Sequence, residues 1–324
     1  MRILVTGGAG FIGSHFIKYL LKTYKKCQVI NLDKLTYSGN LDNLKEVVNH
    51  SQYRFVKGDI CDGRLVERVI KNCSIIVHFA AETHVDRSIQ DGSNFVRTNV
   101  IGTHTLLQAA HKANIKRFVH VSTDEVYGSC KSGYFKETDA LIPSSPYSAS
   151  KASSDLLVHS YFATYGMDVV ITRCSNNFGP NQYPEKVIPL FITNLIDGKK
   201  VPLYGSGKNV RNWLYVQDHC RAIDLALNKG KAGEVYNIAG EDYLDNLRLT
   251  KNILKIMGHT SYMIQYVPDR LGHDFRYAID CSKIRKLGFY PQITFEEGIQ
   301  RTIQWYKNNG LWWKKLKLKR GVLA

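Results

Sequence analysis

The sequence predicts an α/β protein, a doubly wound parallel sheet with a smaller, irregular α/β lobe on its C-terminal side. Two observations predict it. Through the first half of the 324 residues, short β-branched runs alternate with longer amphipathic segments, the pattern of a parallel sheet covered on both faces. Past about Asn176 that rhythm loosens, and prolines and glycines cluster in FGPNQYPEKVIP and PLYGSGKN. Residues 1–175 are therefore expected to form one domain and 176–324 a second lobe, some of whose segments return to the first. No linker-like or low-complexity stretch separates the two, so they should pack tightly.

The elements follow in order. RILVT (2–6) reads as a buried strand, and FIGSHFIKYLLKTY (11–24) as the amphipathic helix after it. QVINL (28–32), YRFV (53–56) and SIIVHF (74–79) are further apolar strands. A helix is expected from about Ser93 to Ala113, then the strand RFVHVS (117–122), a helix at about 147–166 and the strand DVVITR (168–173).

Composition excludes several classes. Hydrophobic residues make up 44% and charged ones 22%, as in ordinary globular proteins. No apolar run approaches the roughly 20 residues that cross a bilayer, and the first strand starts at Arg2, so neither a membrane span nor a signal peptide is expected. Cysteines 27, 61, 73, 130, 174, 220 and 281 are scattered and form no C-x-x-C, which fits reduced thiols in a cytoplasm better than disulfides or zinc. The net charge of +16 raises the question of nucleic acid or acidic membranes. Yet the lysines are spread along the chain without a nucleic-acid motif, and the densest patch, LWWKKLKLKR (311–320), reads as a solvated end. No nucleic-acid or membrane partner is expected.

Gly7, Gly10 and Gly13 in TGGAGFIGSH stand directly between a strand and a helix, with Phe11 and Ile12 inside the turn. Glycines there permit a tight turn, let backbone N–H groups approach a pyrophosphate, and let the helix pack on the sheet. The second strand ends in Asp33, about twenty residues further on, where an acid hydrogen-bonds an adenosine ribose and repels a 2′-phosphate. NAD is the expected cofactor in a Rossmann-type domain, with Lys34 next door slightly weakening the preference over NADP. Asp59 and Ile60 after the third strand, and Ala80 and Ala81 after the fourth, supply an acid and small residues for the adenine side.

VSTDEVYG (121–128) places Asp124 and Glu125 at the end of a buried strand, where adjacent carboxylates repel and resist desolvation. Both can face one substrate only if the strand ends by Thr123, because successive strand residues point to opposite faces. Tyr147 and Lys151 in PYSASKASSD lie one helical turn apart on one face. A lysine ammonium there stabilises a tyrosinate and brings a phenol of pKa about 10 into working range as acid or base. Thr123 can hydrogen-bond the same substrate oxygen.

The glycine turn, the strand threonine and the Tyr147–Lys151 pair together resemble the short-chain dehydrogenase/reductase family, in its extended branch that acts on nucleotide sugars. Further motifs, DKLTYSGN, HFAAETHVDRSI, STDEVYG, RCSNNFGP, YPEKVIP, GKNVRNWLYVQDH and GHDFRYAID, extend the resemblance over nearly the whole chain and make it similar to that branch's 4,6-dehydratases. Epimerases of the same branch generally lack the adjacent Asp-Glu. The resemblance implies internal redox catalysis on a glucose carried by thymidine diphosphate, with uridine diphosphate as the other base. In it Tyr147 is the base on the 4-hydroxyl, Glu125 the base on carbon 5, and Asp124 the acid on the 6-hydroxyl. It implies further cofactor contacts at Leu35, Thr36, Glu82, Thr98 and Asn177, besides Tyr147 and Lys151. Substrate contacts fall on His84, Thr123, Asn176, Lys186, Val187, Pro202, Tyr204, Arg211, Asn246 and His273. Lys186 and Arg211 also make independent sense, since a diphosphate suits a point charge and a charged fork. A homodimer paired through the helices at about 94–113 and 147–166 is implied as well. Phe178, Leu271 and Phe275 depart from the family's usual residues, and the last leaves the base open. A nucleotide-sugar 4-epimerase would leave Asp124 and Glu125 unexplained, and a non-catalytic NAD-binding scaffold has only the basic charge in its favour.

Overall fold

The computed structural model describes residues 1–269 and 272–318; Leu271 and the tail from 319 lie outside the described residues. The chain begins with β1 (Arg2–Thr6), α1 (Phe11–Thr23), β2 (Gln28–Asp33), β3 (Tyr53–Lys57), α2 (Gly63–Ile70) and β4 (Ile75–His78). After α3 (Val85–Gln90), a short α4 (Ser93–Phe95) runs through a π-helical turn (Val96–Gly102) into α5 (Thr103–Lys112). Then come β5 (Arg117–Thr123), a 3-10 turn (Asp124–Tyr127), α6 (Pro146–Tyr165) and β6 (Val169–Cys174). The second half supplies β7 (Asn176–Phe178), α7 (Val187–Ile196), β8 (Val201–Tyr204), β9 (Val210–Tyr215), α8 (Val216–Lys229) and β10 (Val235–Ile238). It closes with β11 (Asp242–Asp245), α9 (Asn246–Met257), β12 (Ile264–Val267), α10 (Ser282–Lys286), α11 (Phe295–Asn308) and α12 (Gly310–Leu318).

Among the described residues, seven strands pair in parallel in the order β10-β6-β5-β4-β1-β2-β3. The chain winds outward from β1 to β3, crosses to β4, and winds the other way, so the direction reverses between β1 and β4. The crevice beyond the C-terminal strand ends at such a reversal is where ligands bind in open α/β sheets. Alternate strand residues feed the two faces. Leu4, Ile76 and Phe118 pack with Leu106, Leu107 and Val158 of α5 and α6 on one side. Ile3, Val5 and Val119 pack with Phe16, Ile17 and Ile223 of α1 and α8 on the other. Phe16 is fully buried, and truncating such a side chain to alanine costs about 3–5 kcal/mol.

One feature differs from expectation. The helix expected over 93–113 contains the π-turn, which tucks Asn99 beneath α6, its Nδ2 donating to Ser150 Oγ at 2.8 Å and to Glu82 O at 3.0 Å. The region after Asn176 holds long amphipathic helices as well as short strands. β10 adds to the main sheet, while β11-β9-β7 and β12-β8 form two small sheets. Phe178, Phe191, Trp213, Phe295 and Trp313 fill the core of this lobe.

Candidate active site

The crevice is a cavity of roughly 300 Å3 walled by residues from both halves of the chain. At one end lies the glycine turn. Gly7 has φ +71°, and a Cβ on it would lie 2.6 Å from Ala80 N; a Cβ on Gly13 would lie 2.4 Å from Gly7 O. Only glycine fits at these two points. The N-cap of α1, Gly10, carries no capping side chain, and the first turn holds no acid, so its N–H groups suit an anion. Asp33 ends β2 with its Oδ2 accepting from Ala9 N at 2.9 Å and its Oδ1 from Leu35 N at 2.8 Å. Each oxygen keeps a lone pair for a ribose hydroxyl. Lys34 is held by Asp59 at 2.8 Å, so the cation that weakened the cofactor choice is already paired. These features fit the adenosine diphosphate half of a dinucleotide. Thr36, Ile60, Ala80, Ala81, Glu82, Thr98 and Asn177 share the wall with Gly10, Phe11 and Ile12, whereas Leu35 lines a neighbouring hollow.

The other end is built from β5 and α6. β5 stops at Thr123, whose Oγ1 accepts from Glu125 N at 3.3 Å, and the chain turns into the 3-10 segment. Gly128 closes it with φ +80°, where a Cβ would lie 2.2 Å from Ile142 O. Strand alternation has therefore ended before the two acids, and Thr123, Asp124 and Glu125 all line the cavity. Ser145 caps α6 reciprocally with Ser148, and Pro146 occupies the first turn. The buried face of that helix presents Tyr147, Lys151 and Asp155 a turn apart.

Burial sets the state of the first acid. Asp124 is buried, its Oδ2 has no hydrogen-bond partner, and desolvation with the adjacent Glu125 pushes its carboxyl up to about 8. Arg211 opposes this without prevailing. Asp124 is thus a neutral acid near pH 7. Tyr147 moves against the expectation from its spacing: burial first, then Glu125, drives the phenol well above 10, while Thr123 opposes by hydrogen bonding. Lys151 Nζ donates to Val121 O at 2.9 Å and lies 3.4 Å from His120 Nε2.

The substrate-side candidates divide into two groups. Asn176 and Lys186 line the cavity, and Lys186 Nζ donates to Thr83 O at 3.1 Å. His84 begins α3 and lies 3.6 Å from Glu185. Arg211, Asn246, Tyr204 and His273 gather in a second cluster off the cavity wall. Arg211 donates to Asp274 O at 2.8 Å and stacks over Tyr277, Asn246 N donates to Asn209 O, and the Tyr204 ring is 6.3 Å from that of His273. Pro202 is half-buried in β8, and Val187 opens α7 against the lobe's core. Sequence reasoning missed Tyr37, Cys174, Glu185 and His219, all on the wall. Tyr37 and Glu185 sit inside motifs quoted above. Cys174 and His219 also fall inside quoted motifs, RCSNNFGP and GKNVRNWLYVQDH, and His219 is brought to the wall by the packing of α8.

Comparison with known proteins agrees with this geometry. A family model for GDP-mannose 4,6 dehydratase matches residues 4–302. A dTDP-glucose 4,6-dehydratase from Streptomyces niveus is 55% identical over 98% of this chain and 96% of its own. The crystal structure of a dTDP-glucose 4,6-dehydratase from Streptomyces venezuelae with NAD and TYD bound has TM-score 0.96 and 54% identity, covering 98% of this chain and 100% of that one. A UDP-glucose 4-epimerase from Thermotoga maritima shares the fold at TM-score 0.89 and 32% identity, covering 95% and 99%, so the fold alone does not separate the chemistries. The full-length matches and the adjacent acids do: the chain belongs to the dTDP-glucose 4,6-dehydratase family of extended short-chain dehydrogenases/reductases.

Proposed function

We propose that this chain converts dTDP-glucose to dTDP-4-keto-6-deoxyglucose and water, with NAD as a resident hydride carrier. The observation that carries the reading is the buried, neutral Asp124 beside Glu125 in the cavity that Tyr147 also lines. An epimerase needs no such acid.

Held by the α1 turn and Asp33, NAD would supply a hydride acceptor for carbon 4 and donor for carbon 6 and, in its oxidised form, a positive charge that favours the tyrosinate. Tyr147 Oη takes the proton of the 4-hydroxyl, and Thr123 Oγ1 orients that oxygen. The carbon-4 ketone acidifies the carbon-5 hydrogen, which Glu125 removes. Asp124 delivers its proton to the 6-hydroxyl, which leaves as water. Glu125 then reprotonates carbon 5. One turnover leaves Tyr147 protonated and Asp124 ionised, so one proton must pass between them. Thr123, which contacts both groups, spans that gap. Each acid–base step of this kind contributes about 10²–10⁴-fold.

Lys186 and Arg211 are assigned to the diphosphate. A second copy is assigned to the helices at 94–113 and 147–166, which expose Val96, Ile101, Leu156 and Tyr165; light scattering tests it. A cytoplasmic location is supported by seven free cysteines. Among the described residues no helix is long and apolar enough to cross a membrane. The test of function is incubation of the purified protein with dTDP-glucose and, separately, UDP-glucose, without added reductant. A 4-keto-6-deoxy product supports the reading, and a galactose epimer alone refutes it.

A further inference from the structure

Behind Lys151 lies a buried polar cluster that no step above uses. His120 on β5 is fully buried, and its Nε2 sits 3.4 Å from Lys151 Nζ, 3.3 Å from Asp155 Oδ1 and 3.1 Å from Ser154 Oγ. Asp155, one turn beyond Lys151 on α6, takes a 2.8 Å bond from Arg173 Nε on β6. Arg173 Nη1 donates onward to Tyr127 OH at 2.7 Å. Buried ions are costly unless each is paired, and here one carboxylate faces two cations, Arg173 Nε at 2.8 Å and Lys151 one helical turn away, with the His120 ring packed against both Lys151 and Asp155. Lys151 makes hydrogen bonds to Val121 O and His120 Nε2, both on β5. An ammonium has three donors, which leaves one N–H for the cavity that Lys151 lines.

We propose that Asp155, by its charge, and His120, as the acceptor for one N–H, are positioning residues that keep Lys151 as an ammonium and turn its remaining N–H into the cavity. This rests on the proposed reaction, in which Tyr147 acts as a base and an ammonium one turn away on its helix favours the tyrosinate. The titratable groups around Lys151 are His120 on β5, His78 on β4, Arg173 on β6, and Tyr147 and Asp155 on its own helix. Burial lowers the Lys151 ammonium to about 8, and Asp155 is the group that opposes the fall. His120 and His78 are held neutral by burial, so neither replaces the carboxylate's charge. Alone, the Arg173–Asp155 bridge would be purely structural; the packing of Asp155 and Lys151 against one imidazole brings its carboxylate close to the cavity.

The sign follows directly. Without the carboxylate, burial acts on Lys151 unopposed, and the ammonium deprotonates at lower pH. Asp155 Oδ1 and Lys151 Nζ lie 3.3 and 3.4 Å from the same imidazole nitrogen and so are no more than about 7 Å apart; at an effective dielectric near 20 the shift is about two pH units. The experiment labels the protein with 13C-lysine and follows the Lys151 side-chain resonance, assigned by its absence in Lys151→Arg, through a pH titration. Asp155→Asn should titrate about two units lower than the parent, and His120→Leu, which loses the acceptor, should also titrate lower. His120→Gln, which keeps an acceptor, should titrate like the parent. The alkaline limb of kcat/KM should move with the resonance. Circular dichroism establishes that each variant folds; if Asp155→Asn does not, the His120→Leu and His120→Gln pair decides. Folded variants that titrate like the parent overturn the proposal. The resonance is readable in protein without turnover, so failure of the dehydratase reading stays distinct from failure of this one.

Discussion

Replacing Asp124 with asparagine removes a carboxyl whose charge the fold refuses. An aspartyl group titrates near 3.8 when unfolded, and burial beside Glu125 moves it to about 8 in the folded chain. At pH 7 the unfolded chain has lost a proton that the folded chain keeps, so this raised carboxyl destabilises the fold. The penalty is absent below the unfolded pKa and grows as pH rises from about 4 to 8. A little over three pH units at about 1.4 kcal/mol each gives about 4 kcal/mol at pH 7. Asparagine escapes it while keeping the shape. With an unfolding entropy of about 2.1 cal/mol/K per residue over 324 residues, the gain is about 6 °C in Tm. Thermal unfolding of both proteins should show this gain at pH 7 and less than half of it at about pH 5. The same variant loses the proton for the departing hydroxyl, so turnover should fall about 10²–10⁴-fold. A stability gain independent of pH, or turnover like the parent's, would refute the claim that Asp124 is held neutral.

Glu125→Gln should leave the first hydride step intact and stop elimination, so reduced cofactor accumulates by near-ultraviolet absorbance while product formation falls about 10²–10⁴-fold. Tyr147→Phe should cut turnover to a similar extent, with no reduced cofactor appearing; accumulation there would move the first base elsewhere. Gly7→Ala must place a methyl 2.6 Å from Ala80 N at φ +71°. It should destabilise the chain by about 1–3 kcal/mol in urea unfolding and weaken NAD binding measured by calorimetry.

Much of the site was legible because each part carries its own physical demand. A tight turn needs glycine at 7 and 13, a ribose wants the carboxylate of Asp33, and Tyr147 and Lys151 share a helical face. The conflict of a buried strand ending in two acids was visible too, and the geometry it required, a strand ended by Thr123, is present. Other features depend on long-range packing. Arg211 acts on Asp124 because β9 of a small sheet is laid beside the 3-10 turn, and no local pattern encodes that pairing. His219 ends a quoted motif, but its reach to the wall depends on how α8 packs. The Tyr147 phenol is driven up rather than down because burial depth, not spacing, decides the larger effect. The π-turn under α6 interrupts a segment whose apolar spacing reads as one uniform helix.

The central claim is that one hydride leaves carbon 4 and returns to carbon 6 within a single cavity. The most direct measurement supplies dTDP-glucose carrying deuterium at carbon 4 and locates the label in the product by NMR. The account predicts a 4-keto-6-deoxy sugar with the deuterium in its carbon-6 methyl group. A product labelled only at carbon 4, or one that has lost the label to water, would contradict it.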